Sequence, residues 1–165
     1  MVKKPGYTTL IDGQQISKTD LHFEALGSLD EASAAMAMAK SLGKSTGYKN
    51  TLTSLQQDFS FLMGLVAGMQ ANPQHFEGRL GWIEALIAQL KESIKMPGRF
   101  IFAGENQLEA SLDVARTAVR RAERITLRFA ETTSGFDANA LQYLNRASTL
   151  LYLLELAARE AEADE

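Results

Sequence analysis

Five arginines fall within thirteen residues, at Arg116, Arg120, Arg121, Arg124 and Arg128, and no lysine interrupts them. In a helix, steps of four place Arg116, Arg120, Arg124 and Arg128 along one slowly drifting face, with Arg121 at its flank. Like charges at that spacing repel unless something negative sits among them. Glu123 offsets part of the charge, as does Asp113 one turn before Arg116. Two readings follow. The face is either solvated and laced by intrahelical ion pairs, each worth about 0.2–0.5 kcal/mol, or it receives an anion. The guanidinium carries a rigid donor fork that matches phosphate oxygens, which suits the second reading. Ala115, Thr117 and Ala118 border the stripe and leave room for a ligand or another subunit.

A second polar interruption, Asn145-Arg146, lies within the mostly apolar stretch Leu141–Leu156. A buried Asn is costly unless its amide is bonded, so Asn145 either makes a core hydrogen bond or reads a ligand. Other motifs fail. Gly43-Lys44-Ser45 resembles the end of a phosphate-binding P-loop, but Met38 stands where the first glycine belongs, and the segment follows a helix rather than a strand. His22 and His75 are far apart and lack the Glu spacing of carboxylate-bridged metal bundles, so they read as half-exposed residues near helix ends. Met36, Met38, Met63 and Met69 read as packing residues.

These residues must be held by helices. Ala, Leu, Glu, Gln and Met dominate, and only three prolines interrupt the chain. A helix is predicted from Asp20 to about Leu42, with Phe23, Leu26, Leu29, Ala32 (or Ser33) and Met36 inward and Gly43 as its stop. A second spans roughly 47–70 through Leu52, Leu55, Phe59, Leu62 and Val66, ended by Asn72-Pro73. A third runs from about His75 to Lys95 through Leu80, Ile83, Leu86, Ile87 and Leu90, before the turn Pro97-Gly98. The fourth starts after Asn106 as N-cap and reaches about Glu131, burying Leu108, Leu112, Ala115, Val119, Ala122 and Phe129. The fifth follows Asp137 into the acidic tail. Residues 1–19 read as an irregular segment, with room for short extended pieces. The expectation is an all-α, five-helix up-and-down bundle in a single domain over 1–165.

At 165 residues such a domain buries about two-thirds of the surface its unfolded form exposes. The absence of cysteine excludes disulfides and thiolate metal sites and makes a cytoplasmic address the default. The net charge of −3 offers no general attraction to nucleic acid or to an anionic membrane, so an anion site must be local. No apolar run approaches the roughly 18 residues of a membrane span, and the opening MVKKPGYTTL lacks a signal-peptide core.

Ala115-Arg-Thr-Ala-Val-Arg-Arg-Ala-Glu-Arg124 followed by Tyr143-Leu-Asn-Arg146 resembles the PduO-type ATP:cob(I)alamin adenosyltransferases. Upstream, Ile16-Ser-Lys-Thr-Asp20 and Glu24-Ala-Leu-Gly-Ser-Leu-Asp-Glu31 resemble that family's "VSKDD…EALGxvDEL" segment. Leu55-Gln-Gln-Asp58 resembles its "IQxDL", and Phe100-Ile-Phe-Ala-Gly104 its "FxLPGG". The likeness covers nearly the whole chain in order.

The resemblance implies a homotrimer with active sites between subunits. It implies transfer of the 5′-deoxyadenosyl group of ATP to cobalt of a reduced corrinoid, cob(I)alamin or its cob(II)alamin precursor, with Mg²⁺ and release of triphosphate. By position, Arg120, Arg121 and Glu123 belong to the ATP and Mg²⁺ site, Asn145 contacts the nucleotide, and Lys18 reaches the phosphates, with Gly6 and Thr8 in the nucleotide loop. Arg116 and Asp30 pair across the interface beside the corrinoid, and Phe100 presses on the lower corrin face and excludes the axial ligand. A reductase or a cobalamin-dependent acceptor enzyme is the implied partner. The chain departs from the family at three places: Lys3-Lys4-Pro5-Gly6 replaces "TGDxG", Ala103-Gly104-Glu105 replaces "PGG", and Thr149 replaces the acidic end of "NRxSD". The second reading is a non-catalytic relative that binds a corrinoid or nucleotide as carrier, sensor or partner protein, and the third is a helical interaction module.

Overall fold

The structure, a computed structural model, describes residues 5–9, 13, 15–69, 74–99 and 101–163, the last three of these as backbone only. Two short strands, β1 (Tyr7–Thr9) and β2 (Gln15–Ser17), pair antiparallel with Thr8 opposite Ile16. The extended pieces allowed for in the N-terminal segment are therefore a hairpin. Lys18 N–H closes it onto the Gly6 carbonyl at 2.8 Å, and Gly6 takes φ +80°, a conformation that favours glycine.

Five helices follow: α1 (Leu21–Leu42), α2 (Thr46–Val66), α3 (His75–Ser93), α4 (Gln107–Glu131) and α5 (Ala138–Ala163). Their starts obey local chemistry. Asp20, Ser45 and Asn106 accept from the backbone N–H of His22, Tyr48 and Glu109, and Asp137 accepts from Asn139 N–H at 2.9 Å. The second helix ends four residues before its expected limit, and the reason is Gly68. At φ +84° it reverses the chain, Gly68 N–H bonds Leu65 O at 3.1 Å, and Met69 N–H bonds Gly64 O at 2.9 Å. Met69 then folds back over Gly64, where a Cβ would meet its sulfur at 3.2 Å.

α4 runs antiparallel to both of its neighbours. Against α1 it pairs Arg128 with Glu24 and Arg121 with Glu31, seven residues later on α1 and seven earlier on α4. Against α5 it pairs Glu109 with Arg159 and Glu123 with Asn145. The α1–α4 seam is lined with small side chains, Ala25, Ala32 and Ala39 facing a helix that buries Ala115, Ala118 and Ala122. Of the stripe expected for α1, Leu29, Ala32 and Met36 are fully buried, but Phe23 and Leu26 are only half-buried, and Ala25 and Ala39 hold inner positions. Small residues let the backbones approach closely, so hydrophobicity alone misjudges the face. α4 buries its expected stripe except for the half-buried Leu108, and adds Ala118 and Ile125. Met36 is fully buried, but Met38 and Met69 are 59% and 60% exposed, so those two are not packing residues. Among the described residues no helix is long and apolar enough to cross a membrane.

Candidate functional site

The arginine face of α4 divides into committed and uncommitted side chains. Arg121 is paired with Glu31 of α1, Arg128 reaches Glu24 at 3.5 Å, and Arg116 is held by Asp113 and by Glu155 at 3.2 Å. Arg120 and Arg124 are exposed and make no ion pair or hydrogen bond among the described residues. The intrahelical lacing of the bland reading is therefore confined to Arg116–Asp113, and most of the pairing is between helices. Next to the free Arg120, Glu123 accepts from Asn145 Nδ2 at 2.9 Å. Asn145 is exposed, which removes the core-hydrogen-bond alternative: Tyr143, Leu144 and Ala147 fill the inner face of α5 and turn it outward. Arg120, Arg121, Glu123 and Asn145 thus share one exposed patch over α4 and α5.

Lys18 is exposed and follows β2, three residues before α1 begins. In the α1–α4 register the level of Arg121 is Glu31, about 15 Å along the helix axis from Leu21. One chain therefore places the Lys18 end, with Gly6 and the half-buried Thr8, about half the length of α1 away from the level of Arg120. The Lys3-Lys4 substitution lies outside the described residues. Among the described residues there is no cluster of three or more His, Asp or Glu able to hold a metal ion. Glu123, the one carboxylate expected at the nucleotide, fits the way Mg²⁺ is bound through one or two carboxylates plus substrate phosphates.

A second feature lies between α4, α5 and the segment that joins α3 to α4. A cavity of about 380 Å³ is lined by Arg99, Ile101, Phe102 and Ala103 on one side and by Asp113, Arg116, Tyr152 and Glu155 on the other. Phe100 lies outside the described residues, but both of its neighbours line this cavity. Arg116 lies with its guanidinium 5.9 Å from the Tyr152 ring centroid. Asp30 is exposed on α1 and makes no bond to Arg116, whose partners within the chain are Asp113 and Glu155.

Glu155 was not singled out by sequence reasoning, although a lone carboxylate inside Leu150–Ala158 is a legible burial signal. It is 3% exposed. Burial pushes its pKa above the usual carboxylate range, Arg116 pulls it back, and Asp113 adds to the rise. The native state therefore binds this proton more tightly than the unfolded chain does, and stability falls as pH rises from about 4 through the raised value. Glu155→Gln keeps an acceptor for Arg116 but cannot ionise. Its melting temperature is expected to gain on the wild type as pH rises through the acid range. Parallel thermal melts across that range check this, and a wild type that gains on the variant would mean the Arg116 attraction outweighs desolvation.

Two of the departures from the family pattern lie among the described residues. Glu105 is paired with Arg159 at 2.8 Å, so its charge does not stand free beside the cavity. Thr149 is half-buried and bonds back to the Asn145 carbonyl at 3.4 Å, while Arg146 takes its acidic partner from Glu84 of α3 at 2.8 Å.

This fold, with an arginine-bearing α4 set between α1 and α5 and a cavity at the α3–α4 connection, has a known counterpart. The chain belongs to the cobalamin adenosyltransferase family, whose model matches residues 2–158. Within it, the chain is 34% identical over 165 residues to the corrinoid adenosyltransferase of Mycobacterium tuberculosis, covering 93% of this chain and 83% of that protein. It is 29% identical over 157 residues to the corrinoid adenosyltransferase PduO of Salmonella typhimurium, of whose length it spans 46%. In three dimensions it resembles a phenylalanine-to-alanine variant of the PduO-type ATP:corrinoid adenosyltransferase of Lactobacillus reuteri complexed with cobalamin and ATP. The TM-score is 0.85 at 27% identity, over 96% of this chain and 91% of that one.

Proposed function

We propose that this chain is an ATP:corrinoid adenosyltransferase working in the cytoplasm as a homotrimer, with each nucleotide site completed between two copies. The observation that carries the reading is Arg120. It is an exposed guanidinium, unpaired among the described residues, beside the Glu123–Asn145 pair. The separation of Lys18 from Arg120 within one chain supports the intersubunit arrangement, because Lys18, Gly6 and Thr8 of one copy can serve the arginine patch of another. Asp30 is likewise free to meet Arg116 of a neighbouring copy.

The reaction joins cobalt to C5′ of ATP while the C5′–O bond breaks and triphosphate departs with that electron pair. The nucleophile is the reduced cobalt of the substrate, so the protein needs no activated Ser, Cys or Lys. Its work is to align C5′ and to meet the developing charge on the leaving oxygens. Arg120 supplies a free fork to the triphosphate, and Lys18 adds a point charge. Arg121 is oriented by Glu31, and Asn145 contacts the nucleotide. Mg²⁺, held by Glu123 and the phosphates, would neutralise leaving-group charge. On the corrinoid side, Arg116 and Asp30 border the substrate and Phe100 presses on the lower face. Excluding the axial ligand there makes reduction of Co(II) by a partner reductase feasible.

Mixing the protein with ATP, Mg²⁺ and chemically reduced cobalamin is expected to give the absorbance change of Co–C bond formation. Absence of both turnover and ATP binding by calorimetry sinks the proposal, and retained corrinoid binding would then favour a carrier role. Phe100→Ala is expected to slow adenosylation that starts from Co(II) by at least about tenfold while leaving ATP affinity unchanged. Equal losses of both would remove the assigned role.

A further inference from the structure

Residues 101–103 form a wall of the cavity, anchored at one end by Ile101 against the core, but the part that follows has no such packing. Phe102 is 81% exposed, and Ala103, Gly104 and Glu105 are exposed as well. A polar clamp fixes it instead. Glu109, 0% exposed, accepts through Oε2 from the backbone N–H of Gly104 at 3.1 Å and of Glu105 at 2.7 Å. Its Oε1 accepts from Arg159 Nη1 at 3.0 Å. Arg159, near the end of α5, also donates to the Phe102 carbonyl at 3.0 Å and to Glu105 Oε1 at 2.8 Å. Asn106 Nδ2 adds a tie to the Ala158 carbonyl at 3.0 Å.

The start of α4 does not need this arrangement, because Asn106 Oδ1 already caps the helix by accepting Glu109 N–H at 2.8 Å. A fully buried carboxylate is costly unless every lone pair is used, and here it is spent on Gly104 and Glu105, the exposed part of the loop beyond Ile101. That loop borders both the 380 Å³ cavity and a second hollow of about 260 Å³, and Arg99, Ile101 and Phe102 line both. Where the wall stands therefore decides the shape of the cavity beside Arg116 and Tyr152.

We infer that Glu109 and Arg159 are positioning residues for the corrinoid: they lock the 101–105 wall against α5 and so set the geometry of the corrinoid cavity without touching the nucleotide patch. This rests on the adenosyltransferase reading. The fork of Arg159 is essential to it, since three acceptors on the Phe102 carbonyl, Glu105 and Glu109 are served by one planar group, and a lysine can satisfy fewer of them.

The test uses the full chain with Arg159→Ala and Arg159→Lys. With ATP saturating and cobalamin varied, Arg159→Ala is expected to lower kcat/KM for the corrinoid by about 10- to 100-fold, the effect of a reactant misplaced by an ångström or so. The Lys variant should fall in between, and the KM for ATP should stay within about twofold of wild type. Amide hydrogen exchange at Gly104 and Glu105 should accelerate in Arg159→Ala. Equal changes for both substrates overturn the inference, as does a fall in melting temperature with corrinoid kinetics unchanged, or unaltered exchange at the two amides. If the wild-type chain does not adenosylate, the functional reading has failed on its own. Equilibrium titration of cob(II)alamin then decides the clamp: weaker binding by Arg159→Ala supports it, and equal binding overturns it.

Discussion

Arg120→Ala is expected to slow Co–C bond formation by about 10²- to 10³-fold, the loss seen when one preorganised donor is removed from a developing negative charge. The same substitution should leave the melting temperature within about 2 °C, because exposed changes away from caps and cores fall within about 0.5 kcal/mol. The combination is what makes the result diagnostic. Arg120 is exposed and unpaired among the described residues, and alanine is at least as good a helix former, so nothing in the fold should register its loss. Arg121 would give a muddier answer, since removing it also strands Glu31. Arg120→Lys should recover only part of the rate, keeping the charge but losing the two-pronged geometry. An unchanged rate together with unchanged ATP affinity would return the arginine helix to a solvated face.

The largest stability loss is expected away from the site, at Asp58. This residue is 2% exposed and ties three helices together. It accepts from Arg79 Nε at 2.9 Å and Nη2 at 2.7 Å, both from α3, and from the hydroxyl of Tyr143 on α5. Arg79 also sits over the Trp82 ring, 4.0 Å from its centroid. Burial and the neighbouring Asp58 charge both push the Tyr143 pKa up, so the phenol stays protonated and remains a donor. Asp58→Ala removes the shared acceptor, leaving a guanidinium half-buried and a phenol with no partner in the core. Breaking such a pair costs about 3–5 kcal/mol, which lowers the melting temperature by roughly 6–20 °C in a chain of this size. Asp58→Asn, which keeps one acceptor oxygen, should lose less. Thermal melts of both variants check the ordering, and a drop under about 2 °C for the alanine variant would show that the network contributes little. The resemblance of Leu55–Asp58 to the family segment thereby acquires a structural cause: the aspartate fastens α2 to α3 and α5.

The helices and their beginnings were readable from the chain because their causes are local. Asp20, Asn106 and Asp137 cap the residues immediately after them, and α2 carries its inward stripe at helical spacing without exception. The arginine patch was readable too, since five cations at helical spacing need no neighbour to be noticed. The end of α2 was misjudged because a Gly68 reversal is decided by backbone bonds spanning three and five residues, ahead of the Asn72-Pro73 signal. The direction in which Asn145 faces was open for another reason. α5 is apolar around most of its circumference, so its sequence does not declare which side turns inward; packing against α3 and α4 does.

By itself, then, the sequence determined five helices, the caps Asn106 and Asp137, and an anion-ready face on the fourth helix, all carried by spacing within a few tens of residues, together with a family resemblance carried by motifs along nearly the whole chain. Only the tertiary structure decided which arginines are spoken for: Glu24 and Glu31 take two from α1, and Glu155 takes one from α5, while Arg120 is left open. It also decided that Glu105 is answered by Arg159 and that a buried Glu109 pins the cavity wall. The physical reason is common to these cases. A charge is free, paired or buried according to what another helix brings within 3 Å or so of it, and those partners lie 39 to 104 residues away along the chain.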